Sequence, residues 1–178
     1  MRMRTKHINL SRGLPKTGQT HIVPVGGDGT YQAGWWRGLT FDDNKVRFIE
    51  QTIDGDDIVI DRATGLIWAA DGDEAGCHNG TQTLPEAAII YAEGLVDFAG
   101  YSDWRIPNIN ELLSIVQWEL SNPCIYTVFT NTVSSEYWTS SLYNVDPNDY
   151  WAVNFNNSKI NNNSLLASLY VRCVRGGI

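Results

Sequence analysis

Soft metal ligands are scarce in this 178-residue sequence: it has three cysteines, three histidines and two methionines. Cys77, Cys124 and Cys173 show no CxxC spacing, and His7, His21 and His78 stand far apart. Only Cys77-His78 sets two soft ligands side by side, and adjacent residues rarely reach one ion, so no metal site is expected. Three cysteines allow one disulfide and a spare thiol. The start, Met1 to Arg12, carries basic residues with no apolar stretch behind them, so a secretory signal is not expected and the thiols are expected reduced. No apolar run approaches the roughly 20 residues of a membrane span. Catalytic signatures are missing too: there is no G-x-S-x-G, no H-E-x-x-H and no phosphate-binding Gly loop. Gly26-Gly-Asp-Gly29 has no Lys, Ser or Thr in the place a Walker loop needs. A non-enzymatic protein without a cofactor is expected.

Charge is unevenly spread. Arg2, Arg4, Lys6, Arg12 and Lys16 crowd the first 16 positions, where there is no acid. The remainder holds 8 basic and 20 acidic residues, a net of −12 that conceals itself in the overall −7. A body this acidic repels phosphate backbones, so nucleic acid is not an expected partner. The arm is expected to dock on an acidic neighbouring subunit instead.

What is abundant is aromatic: 7 Trp, 8 Tyr and 5 Phe point to a rigid, strand-rich core. Residues 1–44, poor in periodic pattern and rich in Gly and turn formers, read as an extended arm or wrap, and 45–178 as one domain. Residues 46–53 and 58–61 flank Asp54-Gly55-Asp56-Asp57, a hairpin turn that lacks the ligand series of a calcium loop. Thr83 before Pro85 and Glu86 predicts one helix start, and Asn108 with Glu111 predicts a second. In Ser102-Asp-Trp-Arg-Ile-Pro107, Trp104 and Arg105 are expected to lock a core corner. Short strands follow at Tyr137–Ser141, Tyr150–Phe155 and Tyr170–Val174, giving an α+β class.

Between Asn144 and Asn163, eight of twenty residues are Asn, a turn former and adaptable hydrogen bonder. Interleaved with Tyr143, Tyr150 and Trp151, this block has the chemistry of a recognition surface. It is charge-poor and flanked by strands, and an ordinary solvated loop is the competing reading. The expected ligand contacts are Tyr143, Asn144, Asn148, Tyr150, Asn156, Asn157, Asn161, Asn162, Asn163, Leu165 and Leu166. Leu165, Leu166 and Leu169 are ambiguous between contact and core.

Four strings match a known pattern in order and spacing: Thr64-Gly-Leu-Ile-Trp68, Gly100-Tyr-Ser-Asp-Trp-Arg-Ile-Pro-Asn-Ile-Asn-Glu-Leu112, Tyr137-Trp-Thr-Ser-Ser141 and Tyr170-Val-Arg-Cys-Val-Arg-Gly176. They resemble the Lcl C-terminal domain family, named for a bacterial collagen-like adhesin, and Leu14-Pro-Lys-Thr-Gly-Gln-Thr20 resembles the leader of many members. The resemblance implies a C-type-lectin-like fold with two helices, a small antiparallel sheet and long irregular binding loops. In members, a helix Cys often pairs with the residue matching Cys173; here that position is Ala92. The run Trp151–Arg172 also resembles the variable repeat of diversity-generating retroelement targets, with Trp151, Val153, Phe155, Val171 and Arg172 as fixed framework.

Together these readings predict a receptor-binding adhesin on a phage virion, tail or capsid, with a host cell-surface glycan or protein as ligand. The arm would contact other virion subunits, and a homotrimer is the favoured assembly. The alternatives are a structural virion subunit without ligand binding, a location in the bacterial cytoplasm, and a relative of formylglycine-generating oxidases. The last needs Cys124 to work with Cys173.

Overall fold

The Asp54-Gly55 step turns the chain through positive φ at both residues, +55° and +99°, the geometry of a two-residue hairpin. It joins β1 (Phe48–Ile53) to β2 (Asp56–Asp61), with Ile53 facing Asp56 across the ladder. This is a computed structural model and describes residues 17, 19–21, 28 and 47–176. The expected arm, 1–44, therefore lies outside the described residues except at those few positions. Thr20 donates its hydroxyl to Glu119 at 2.9 Å, which ties that residue to the body.

β2 continues through a tight turn into β3 (Leu66–Ala69), and β3 pairs with the short C-terminal β7 (Val174–Arg175). The first sheet has the order β1-β2-β3-β7. The second, β4-β5-β6, is built from Glu136–Leu142, Asp149–Asn154 and Lys159–Ser164. All strand pairings within both sheets are antiparallel. Two short helices, α1 (Pro85–Glu93) and α2 (Ile109–Ser114), lie between the sheets in sequence, so the class is mixed α and β as expected.

The period of two along a strand explains the core. Ile58 and Val59 are neighbours on β2 yet enter different apolar clusters, because successive side chains leave opposite faces. Trp138 and Tyr137 of β4, and Ala152 and Val153 of β5, divide in the same way. Both sheets are thus covered on both sides near their centres. Trp68, Trp104 and Trp138 are almost fully buried, and each removes about 150–250 Å² from water.

Polar locks join the pieces. Arg47 and Asp61, both buried, share two hydrogen bonds of 2.9 and 2.7 Å, and Arg47 also donates to the Ser114 carbonyl at 2.7 Å. Buried Arg172 donates to the carbonyls of Ala69 and Ala70 at 2.6 and 2.7 Å. Trp104 and Arg105 do form a corner: the indole donates to Phe98 at 3.0 Å, and the guanidinium holds Glu111 by two bonds of 2.8 and 2.7 Å.

Two expectations need correction. Thr83 does not cap α1; Leu84 holds that position with no side-chain bond. The Thr83 backbone instead exchanges hydrogen bonds with Leu169, and its carbonyl accepts the Trp138 indole at 2.7 Å. The run from Tyr170 to Val174 is also not one strand. Tyr170 bridges to Tyr137 in the second sheet while Val174 pairs with Trp68 in the first, so Val171–Cys173 spans the gap between sheets.

Candidate functional site

The Asn-rich block folds as a hairpin rather than as a patternless loop. β5 and β6 pair from Asp149↔Ser164 to Asn154↔Lys159 around the turn Phe155–Ser158, and β6 carries Asn161, Asn162 and Asn163. Asn is a poor strand former, so composition hid this strand; tertiary pairing with β5 overrides the propensity. Among the described residues β6 is paired on one side only and forms the edge of its sheet.

This geometry divides the expected contacts into two groups at opposite ends of β5. A six-residue strand separates its end residues by about 17 Å. At one end the loop from Tyr143 to Asn148 meets the exit of β6, where the Leu165 N–H donates to the Asn148 carbonyl at 2.8 Å. Tyr143, Asn144, Asn148, Leu165 and Leu166 belong to this group. At the other end Asn156 and Asn157 form the β5–β6 turn, and the Asn157 side chain accepts from Lys159 N–H at 3.1 Å.

Between the ends, alternation puts Tyr150, Asn161 and Asn163 on one face of the hairpin and Asn162 on the other. Three of these side chains are engaged internally. Asn161 donates to Glu136, Asn162 donates to Asp149 at 2.6 Å, and the Tyr150 ring packs 6.3 Å from that of Trp138. Asn163 is half-buried, and its amide nitrogen has no hydrogen-bond partner among the described residues.

The loop end is the coherent surface. Tyr143 and Trp151 stack edge to face with ring centres 4.9 Å apart, a rigid aromatic base. Asn148 is held by Asp146, which accepts from both its backbone and its amide. Around them Leu142, Val145 and Leu166 stand exposed, Leu166 at 86%. Leu142 and Val145 escaped the sequence reading because lone apolar residues in a polar stretch carry no periodicity. Leu169 is buried at 7% and belongs to the core.

A second cluster was not legible. Carboxylate oxygens of Asp57, Asp71 and Glu74 come within 4.8 Å of one another, the one set among the described residues close enough to hold a metal ion. Residues 14 and 17 positions apart in sequence meet because β3 returns the chain beside β2. Internal bonds already serve the group: Asp57 N–H donates to Glu74 at 3.0 Å, and the Asn131 amide donates to Asp71. Burial raises the Glu74 carboxyl above its ordinary value, and the charges of Asp57, Asp71 and Asp56 add to that. A groove of about 220 Å³ opens beside it, lined by Glu50, Thr52, Asp57 and Thr130 over Ile58 and Ala70.

Cys124 and Cys173 are not brought together. Cys124 sits in the cluster with Phe155, whose carbonyl its thiol approaches to 2.9 Å, whereas Cys173 lies in the other cluster.

The family model described as the Lcl C-terminal domain matches residues 57–175 of this chain. A comparison with curated proteins gives no match.

Proposed function

Because the chain belongs to the Lcl C-terminal domain family, we propose that it is a non-enzymatic binding module of C-type-lectin-like fold, carried as an adhesin on the surface of a phage particle. The observation that carries this reading is the loop end of the β4–β5–β6 sheet. There Tyr143, Asn144, Asn148 and Leu166 stand together on a rigid base, with Leu142 and Val145 exposed beside them. Aromatic, amide and apolar groups with few charges suit contact with a cell-surface glycan or protein, since little charge must be desolvated. Within the run Trp151–Arg172 the β5–β6 turn and the exit of β6 lie outside strands, and such segments on a packed sheet can vary without loss of the fold, which suits diversification there. The basic N-terminal segment then serves contact with other particle subunits, and a homotrimer is the assembly we favour.

Purified full-length protein should bind host cells saturably, and proteomics of purified particles should contain it. Absence from the particles would refute the location, and no binding to any host envelope would refute the activity. A second reading, a structural particle subunit without a ligand, draws on the internal engagement of Asn161 and Asn162. It predicts presence in particles with no cell binding.

A further inference from the structure

We propose that Cys77 and Cys173, free thiols in this structure and expected reduced where no oxidant acts, form an intrachain disulfide under oxidising conditions that fastens the Ala75–Gly80 turn to the C-terminal run beside β3. Three observations converge. The Cys173 N–H donates to the Gly76 carbonyl at 2.9 Å, and Gly76 immediately precedes Cys77. Following the bonds on either side of that contact, the two Cα atoms are at most about 7 Å apart, the upper end of what a disulfide spans. Both side chains are buried in the same apolar cluster, at 2% and 0% exposure. Finally, neither thiol has a hydrogen-bond partner among the described residues, whereas Cys124 approaches the Phe155 carbonyl and accepts from Ser158 N–H at 3.0 Å.

The turn cannot shift away easily. A Cβ on Gly76 would lie 2.4 Å from that of Ala69 and 2.7 Å from the Phe98 ring, so its backbone is pressed against β3 and the core. Ala69 N–H in turn donates to the Cys173 carbonyl at 3.1 Å, fixing the other half of the pair.

Burial raises the Cys77 thiol to about 11 and the Cys173 thiol well above its ordinary value, so the folded reduced form holds almost no thiolate. The bond therefore forms while the chain folds. With glutathione disulfide as oxidant, the Cys77 thiolate attacks one of its sulfurs and releases glutathione. The Cys173 thiolate then attacks the sulfur of Cys77 in that mixed disulfide and releases a second glutathione. Two cysteine thiols are oxidised, one glutathione disulfide is reduced, and the two cysteine protons end on the two departing glutathione thiolates.

The test refolds the full chain from denaturant in a glutathione–glutathione disulfide buffer. Free thiols are then alkylated in denaturant and the adducts counted by intact mass. One adduct, at Cys124, is expected, with a Cys77–Cys173 cross-linked peptide on proteolysis; refolding under dithiothreitol should give three adducts. The loop closed is roughly a hundred residues, so the oxidised form should melt about 5–15 °C above the reduced form. Cys124→Ser should keep the cross-link and show no adduct. Three adducts after oxidative refolding, or any cross-link that includes Cys124, would overturn the proposal, and the wild-type peptide map decides it even if a variant fails to fold.

Discussion

The Leu165 N–H and the Asn148 carbonyl meet at 2.8 Å, a backbone contact that stitches the exit of β6 to the β4–β5 loop. It makes one surface of two segments that are far apart along the hairpin, and it leaves the β5–β6 turn the length of β5 away, about 17 Å. The two groups should separate in function. Asn144→Ala with Asn148→Ala and Leu166→Ala should reduce host-cell binding at least tenfold while melting moves little, because these side chains are exposed. Asn156→Ala with Asn157→Ala should leave binding intact, and loss of binding from the turn pair alone would move the site to the other end. Cell-binding isotherms paired with melting curves measure both.

Glu74 gives a pH signature of unusual sign for a carboxylate. Its folded value lies above the ordinary 4.5, through burial first and then the neighbouring acids Asp57, Asp71 and Asp56. The folded state therefore binds this proton more tightly than the unfolded state. The stability it contributes is complete below about pH 4.5 and is lost as pH rises through the folded value. Glu74→Gln keeps an oxygen to accept from Asp57 N–H and removes the charge. The variant should melt higher than the wild type at pH 7, with the gap closing toward pH 4.5. Equal melting temperatures at pH 7 would show that the cluster is relieved by other means.

Helix starts show what could be read in advance. The Asn108–Glu111 box is complete: Glu111 N–H donates to Asn108 Oδ1 at 3.0 Å and Asn108 N–H to Glu111 at 2.8 Å. Thr83 offered a similar local pattern, but long-range pairing with Leu169 claims its backbone. Asn108→Ala should therefore cost about 1 kcal/mol in denaturant unfolding. Thr83→Ala should cost under about 0.5 kcal/mol, since no cap is removed.

That contrast extends to the rest of the chain. The hairpin at Asp54-Gly55, both helices, the Trp104–Arg105 corner and strands β4 and β5 were legible because turn chemistry, caps and alternation act locally. The family strings were legible for the same reason. β6 was not, because six residues that include three Asn pair only when β5 supplies a partner. The acidic cluster was hidden as well, since its members meet through sheet return rather than sequence proximity. For the candidate site, residue types singled out the block from Tyr143 to Leu166, but its division into two ends depends on strand register, which composition does not encode.

The leucines at the end of the block test that division at single-residue resolution. Leu165, Leu166 and Leu169 look alike in sequence, yet their exposures differ sharply: half-buried, 86% and 7%. Leu169 packs in the cluster of Trp138, Ala88 and Cys173, and its backbone is bridged to Thr83. Truncating it removes buried methyls and leaves a cavity, so Leu169→Ala should cost about 2–5 kcal/mol. Leu166 contributes almost nothing to burial, so Leu166→Ala should change stability by under about 0.5 kcal/mol. Its effect should fall on binding instead, because an apolar side chain held in water gains by being covered by a partner. Denaturant unfolding of both variants, beside their host-cell isotherms, should thus give opposite patterns. A destabilised Leu166→Ala with normal binding would assign this leucine to the fold and remove it from the surface.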